Sequence, residues 1–265
     1  MLMSDYDQKE LREKFRRIGI TKGDSVFLTT SLGSLGVPKT KNKNYLLTSS
    51  RWIFNCLIDI IGKRGNIFVP TYSYTFTKKY RVFDIEKTQA DIGYFPNFFL
   101  KKKKIIRSHD PMMSIAGYGP DTKNILCKIS NNSFGKNSVF ERLLKLKSLK
   151  CCTLGLGYNW VPFLHYLDWK NNVPFRHEKK LYGYIKKNKI KKKIIWNFFA
   201  RILRKETISN GYRIGLQAIQ NKLYKKSQIG KSMMYIIDYN IFFNFSKKLT
   251  KTDKWLTVNG PKFKI

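Results

Sequence analysis

The sequence predicts an α/β fold, with a mostly parallel central sheet flanked by helices. Three observations point there. Apolar stretches of strand length alternate with longer segments whose apolar residues recur at helical spacing. Turns rich in glycine, aspartate and proline separate them. The chain has 265 residues, enough to bury one substantial core, so residues 1–265 are expected to form a single domain.

Gln8 to Gly19 reads as a polar, amphipathic helix closed by its glycine, and Ser25 to Thr30 as a strand entered through the Lys22-Gly23-Asp24 turn. Tyr45 to Ile61 has helical apolar spacing and stops at Gly62, and Asn66 to Val69 is a strand closed by Pro70. Strand, glycine turn, helix and strand in succession build parallel sheet with helices packed on it. Further on, Val139 to Leu146 is expected to be helical, Cys151 to Gly155 a strand, and Gly211 to Tyr224 a helix, while Lys231 to Phe245 is mixed. Lys179 to Lys193, with Tyr182-Gly183-Tyr184 ahead of its lysines, reads as a hairpin or flap rather than a linker. No internal repeat is visible.

Lys+Arg number 52 against 17 Asp+Glu, a formal net charge of +35. Such a balance suggests a polyanion as partner. Yet lysine, isoleucine, asparagine, phenylalanine and tyrosine are abundant throughout, as a genome poor in G and C produces. The densest lysine runs, Lys101 to Lys104 and Lys186 to Lys193, read as solvated loops or turns. No specific nucleic-acid partner is expected. A basic surface does attract small molecules that carry phosphate.

Cys56, Cys127, Cys151 and Cys152 imply neither a disulfide framework nor a metal set, and buried, inert thiols are expected. The N-terminus lacks the basic-then-apolar pattern of a signal peptide, and no apolar run approaches the roughly twenty residues of a spanning helix. A cytoplasmic location is expected.

The densest chemical signal is Leu154-Gly155-Leu156-Gly157-Tyr158-Asn159, followed by Val161-Pro162-Phe163-Leu164-His165-Tyr166-Leu167-Asp168 and then Val173-Pro174-Phe175-Arg176. An apolar run ending in two glycines is a buried strand entering a tight loop, where backbone approaches a ligand that a side chain would obstruct. The loop delivers His165, a possible proton acceptor, with Asp168 three residues on; in a helix both face one side. The alternative is a partly buried histidine satisfied by hydrogen bonds.

The chain resembles the aminoglycoside 3-N-acetyltransferase family, the antibiotic N-acetyltransferases that use acetyl-CoA without the common GNAT fold. The His165 block carries the resemblance together with Thr30-Ser31-Leu32-Gly33-Ser34-Leu35-Gly36, Gly65-Asn66-Ile67-Phe68-Val69-Pro70-Thr71-Tyr72, Arg107-Ser108-His109-Asp110-Pro111-Met112-Met113-Ser114-Ile115-Ala116-Gly117-Tyr118-Gly119, and Ser133-Phe134-Gly135-Lys136-Asn137-Ser138. They occur in the family's order from about Ile18 to Arg176. The resemblance implies an acyltransferase with acetyl-CoA as cosubstrate, no metal, and a small-molecule amine as acceptor.

On that basis Ser31, Leu32, Gly33 and Ser34 are cofactor-binding candidates, because amides and hydroxyls after a strand accept phosphate; the competing reading is an ordinary connecting turn. Arg107, Ser108 and Ser114 join them, with Ser114 to Gly119 as a small-residue wall for the thiol arm. Close-packed strand residues are the competing reading of Ala116, Gly117 and Gly119. His165 is the general base, since an imidazole with a pKa around 6.5 accepts the proton of an attacking amine. The resemblance places an acidic helper near Glu206, with Asn210 or Asp168 as alternatives.

Three positions depart from the family pattern. Asp110 stands where histidine is frequent, Asp168 replaces glutamate, and Pro162 stands where threonine is frequent. The acidic pair, Asp110 and Asp168, suggests a cationic or hydroxyl-rich acceptor. Both an aminoglycoside, as in antibiotic resistance, and an amino sugar of polysaccharide biosynthesis, nucleotide-linked or free, fit that description. The other class of function is a catalytically inactive relative that binds polyanions. His109 reads as a displaced relic of the motif, and His177 as a surface residue beside Arg176.

If the charge is compositional drift, duplex DNA should bind weakly and let go by about 0.15 M salt, as released counterions stop driving association. A filter-binding titration checks this. Tight binding that persists at about 0.2 M would favour the polyanion reading.

Overall fold

The computed structural model describes residues 5–161 and 163–262. In chain order the strands are β1 (Ser25–Thr30), β2 (Asn66–Pro70), β3 (Val82–Asp84), β4 (Ile106–Arg107), β5 (Ile115–Tyr118), β6 (Leu149–Leu154), β7 (Arg176–Lys187), β8 (Ile190–Arg201), β9 (Lys225–Ile229) and β10 (Ser232–Asp238). The helices are α1 (Gln8–Arg17), α2 (Tyr45–Ile61), α3 (Tyr94–Leu100), α4 (Thr122–Leu126), α5 (Val139–Leu143), α6 (Leu164–Lys170), α7 (Tyr212–Gln220) and α8 (Tyr239–Thr252).

The main sheet has seven strands in the order β4-β5-β2-β1-β6-β10-β9. Parallel pairing is confined to its centre, where β1 lies between β2 and β6; the outer strands pair antiparallel. The α/β class is therefore the class found, with a parallel heart and antiparallel margins.

Alternation along the three central strands feeds two cores. Val26 and Leu28 of β1, Ile67 and Val69 of β2, and Cys152 and Leu154 of β6 face one side, where α1, α2 and α3 cover them. Phe27, Phe68 and Cys151 face the other, against α5, α6, α8 and the hairpin β7–β8. Helix α2 begins where the Asn44 side chain accepts from the Leu47 amide, ends at Gly62 with φ 65°, and buries Ile53, Leu57, Ile60 and Ile61 at helical spacing. Its bounds match the sequence expectation. Helices α5 and α7 are shorter than expected. The mixed segment Lys231 to Phe245 divides into β10 and the start of α8 at Asp238, whose carboxylate caps the Ile241 amide.

The expected hairpin is longer than its lysine-rich part. Strands β7 and β8 have 12 residues each and pair from Lys187↔Ile190 at the tip to Arg176↔Arg201 at the open end. Asn188 and Lys189 both have positive φ, as a two-residue turn of matching twist needs. Strand β3 adds alongside β7 to complete a second sheet. Among the described residues no helix is long and apolar enough to cross a membrane.

Strand β6 ends at a backbone crossing that only glycine permits. Gly155 has φ 75°, and a Cβ there would press into the Ser31 carbonyl and the Ser34 hydroxyl. The Ser34 Oγ donates to the carbonyls of Ser31 (2.8 Å) and Gly155 (2.6 Å), tying the ends of β1 and β6 together. Gly155→Ala should therefore cost about 2 kcal/mol or more, read as a lower urea midpoint with unchanged slope.

Candidate active site

The ends of β1, β2 and β6 open into two hollows. Strand β1 pairs in parallel with a strand on either side, so the chain leaves the sheet in opposite directions there, the usual place for a ligand crevice in α/β sheets. The first hollow, about 480 Å³, is bordered by Ser31, Leu32 and Gly33 after β1, Pro70 at the end of β2, and Leu156 and Trp160 after β6. No charged side chain lines it. Ser34 sits outside, its hydroxyl spent on the crossing.

The second hollow, about 720 Å³, lies against the hairpin. Tyr74 and Met112 come from the loops beyond β2 and before β5, His165 from α6, and His177, Lys179, Phe198 and Ala200 from one face of β7–β8. Cross-strand pairing sets that face: His177 opposes Ala200 and Lys179 opposes Phe198.

Arg176 organises this wall. Its Nε donates to Asp168 Oδ2 at 2.7 Å, Nη1 to the Phe199 carbonyl at 3.3 Å, and Nη2 to both His165 Nδ1 (2.7 Å) and Ser209 Oγ (3.0 Å). A guanidinium has no lone pair to offer, so His165 Nδ1 must be the acceptor. The neutral ring then carries its proton on Nε2. Burial, Arg176 and Arg201 together hold His165 well below the ordinary histidine range, so it stays uncharged at neutral pH.

Several expected site residues have other work. Asp168 is fully buried behind Arg176 and accepts from Thr257 Oγ1 at 2.6 Å; it anchors the guanidinium and does not face the cavity. Burial pushes its pKa up while Arg176 pulls it back. Asp110 is also buried, with Oδ1 accepting from the amides of Met112 (2.8 Å) and Met113 (2.9 Å), which shapes the turn before β5. Neither acid is placed to meet an acceptor, because each spends its oxygens on the protein. Pro162 lies outside the described residues.

Arg107 is likewise spent. Nε donates to Ser114 Oγ at 3.1 Å, Nη2 to the Thr71 carbonyl at 2.8 Å and Nη1 to the Thr88 carbonyl, while the guanidinium lies 4.8 Å over the Phe83 ring. Burial lowers its pKa to about 10. Ser108 Oγ accepts from the Ile115 amide at 3.0 Å, and Ser114 Oγ donates to Thr71 O at 2.7 Å; both serines are fully buried. This block braces the end of β2 instead of offering free groups to a cofactor. His109 packs edge-on against Trp196, away from the cavity, and His177 is exposed. Cys152 is buried with its thiol pushed up to about 12, as an inert cysteine would be.

Glu206 lies in a short 3-10 turn, Lys205–Thr207, and its side chain has no hydrogen-bond or ion-pair partner among the described residues. It does not border the cavity. Asn210 is occupied by the Tyr212 amide and by Asn259. The partner of His165 is thus Arg176, a residue visible in the motif block but read there only as its tail.

A profile of the aminoglycoside 3-N-acetyltransferase family matches residues 29–251. The chain belongs to the aminoglycoside 3-N-acetyltransferase family. Aminoglycoside N(3)-acetyltransferase IX of Micromonospora chalcea is 20% identical over 268 residues, covering 90% of this chain and 91% of its own. Among solved structures, sisomicin-bound AAC-VIa superposes with a TM-score of 0.79 at 16% identity, over 94% of this chain and 99% of that one. AAC-IIIb in binary complex with CoASH gives 0.77 at 15% identity, over 97% and 98%. At such identities the solved structures speak for the fold, which is that of the antibiotic N-acetyltransferases. Family membership makes the chain an acyltransferase.

In this acyltransferase Asp110 is a buried carboxylate pushed up to about 6 by loss of solvent. Its folded state holds the proton more tightly than the unfolded chain, so ionised Asp110 weakens the fold above pH 6 and ceases to do so as pH falls through 6 towards 4. Asp110→Asn keeps the Oδ1 acceptor without the charge. It should raise Tm by a few degrees at pH 7.5, with the gain shrinking below pH 5 in scanning calorimetry.

Proposed function

We propose that this family member transfers the acetyl group of acetyl-CoA to the amino group of an aminoglycoside or amino sugar, with His165 as general base. The observation that carries the reading is an imidazole held uncharged on the wall of a cavity sized for a sugar, beside an uncharged cleft at the end of β1. A relative of this fold has been solved with CoASH and another with sisomicin.

The cleft suits the pantetheine arm of CoA. Its lining is uncharged, its polar side-chain groups being the Thr29 to Ser31 hydroxyls, the Tyr94 phenol and the Trp160 indole N–H, and at Gly33 no atom lies within 4 Å of where a side chain would start. The phosphates then lie outside it, on the basic surface. When bound, acetyl-CoA supplies the activated acyl carbon.

The amine nitrogen attacks that carbon, the C–S bond breaks, and the displaced sulfur leaves as thiol. One amine proton must be collected as the bond forms. The lone pair of His165 Nδ1 is engaged by Arg176 at rest, so collection requires that contact to give way. Ser209 Oγ already accepts from the same Nη2 and holds the guanidinium meanwhile.

His165→Ala should lower kcat by about 10²- to 10⁴-fold while leaving the stabilisation by CoA, read as a Tm shift, unchanged. Because the imidazole is deprotonated well below pH 6.5, the acid limb of wild-type activity should lie under the ordinary histidine range. Any rise above pH 6.5 then follows the acceptor amine and persists in the variant. Equal kcat in the two proteins removes His165 from the chemistry. Absence of thiol release with every amine removes the activity.

A further inference from the structure

The charged side chains lining the hollow beside His165 are all cationic. Its ionisable lining is Arg176, Lys179, Arg201, His165, His177 and Tyr74, with no carboxylate. The nearest candidates face elsewhere. Asp168 is buried against Arg176, Glu178 borders the opposite face of the hairpin, and Asp91 pairs with Lys78 at 2.8 Å.

Arg176 and Arg201 stand directly opposite each other at the open end of β7–β8. Like charges at such a pair work against the sheet. Asp168 neutralises Arg176. Arg201 faces no carboxylate among the described residues: its Nη1 reaches only the carbonyls of Ile202 (3.5 Å) and Arg204 (3.2 Å) and the hydroxyl of Thr207 (3.2 Å). Lys179, exposed on the hairpin and bordering both this cavity and the hollow that Glu178 lines, has no ion-pair partner among the described residues either.

Resting on the acetyl-transfer reading above, we propose that the acceptor is an amino sugar bearing an anionic group, a phosphate or a carboxylate, which Arg201 and Lys179 hold against the hairpin. A guanidinium with an unspent edge suits both anions, and charge-assisted bonds of this kind are the strong ones. A polycationic aminoglycoside would instead set ammonium groups against uncompensated cations, which is how sites reject a ligand. The same field favours the neutral, nucleophilic form of the acceptor amine, since nearby positive charge disfavours an ammonium. Deprotonation then leans less on His165, whose lone pair is engaged at rest. The balance of the transfer is unchanged: the C–N bond forms, the C–S bond breaks, and the one proton the neutral amine loses ends on the departing thiol while the other stays on the amide nitrogen.

The test is thiol release from acetyl-CoA with four acceptors: gentamicin, glucosamine, glucosamine 6-phosphate and muramic acid. The phosphate or the carboxylate sugar should exceed glucosamine in kcat/KM by about 10- to 100-fold, the worth of a charge-assisted hydrogen bond, with gentamicin below glucosamine. Whichever anion leads names the group. Arg201→Gln, and separately Lys179→Gln, should shrink that preference through the acceptor KM. A rise in acetyl-CoA KM instead would hand these residues to the CoA phosphates and overturn the proposal, as would gentamicin leading the panel. Should no acceptor turn over, the acetyl-transfer reading fails by itself, and calorimetric titration of the same compounds judges the charge inference: tighter binding of glucosamine 6-phosphate than gentamicin upholds it, and the reverse order sinks it.

Discussion

The site hangs on one buried guanidinium. Arg176 ties α6 to the open end of the hairpin through Asp168, reaches β8 through the Phe199 carbonyl, and touches the segment after β8 through Ser209. Thr257 closes the arrangement from near the C-terminus by donating to Asp168. A buried pair of this kind adds little over a well-packed apolar equivalent, but removing one partner strands a charge at a cost of about 3–5 kcal/mol. The pair therefore serves position more than stability: it sets where His165 stands and which of its nitrogens carries the proton.

That constraint also reverses the sense in which the acidic residues read. Two aspartates in motif blocks suggested a cationic or hydroxyl-rich acceptor. The fold turns both inward, one onto backbone amides and one onto Arg176, so the charge presented to the cavity is that of the cations left over. The charge balance at the site is thus separate from the formal +35 of the whole chain, most of which lies on lysines away from the site. What matters locally is that, among the described residues, Arg201 and Lys179 pair with no carboxylate while Arg176 pairs with Asp168.

The Arg107, Ser108 and Ser114 block makes a related point. Residue types suited to phosphate are also suited to carbonyls, and here Thr71 and Thr88 take the guanidinium first. The block still bears on the site, since it fixes the end of β2 from which the loop to Tyr74 departs. Its influence is through shape and not through contact with a ligand.

Strand and helix periodicity made β1, α2 and β2 legible almost to the residue, because alternation and capping are local signals that the packed structure did not need to override. The Gly155 turn and the delivery of His165 by a helix after β6 were legible for the same reason, and the sequence blocks were sufficient for the family. The partner of His165 was not. Resemblance led to Glu206, across a segment where only the pairing of β7 with β8 decides which side chains meet. The register that brings Arg176 opposite Arg201 closes over a hairpin of 12-residue strands, and no local pattern reports it. By itself the sequence determined the fold class and the family, each written in short-range spacing. The tertiary structure alone decided which charges are cancelled and which face the cavity, because burial and pairing are properties of residues far apart in the chain.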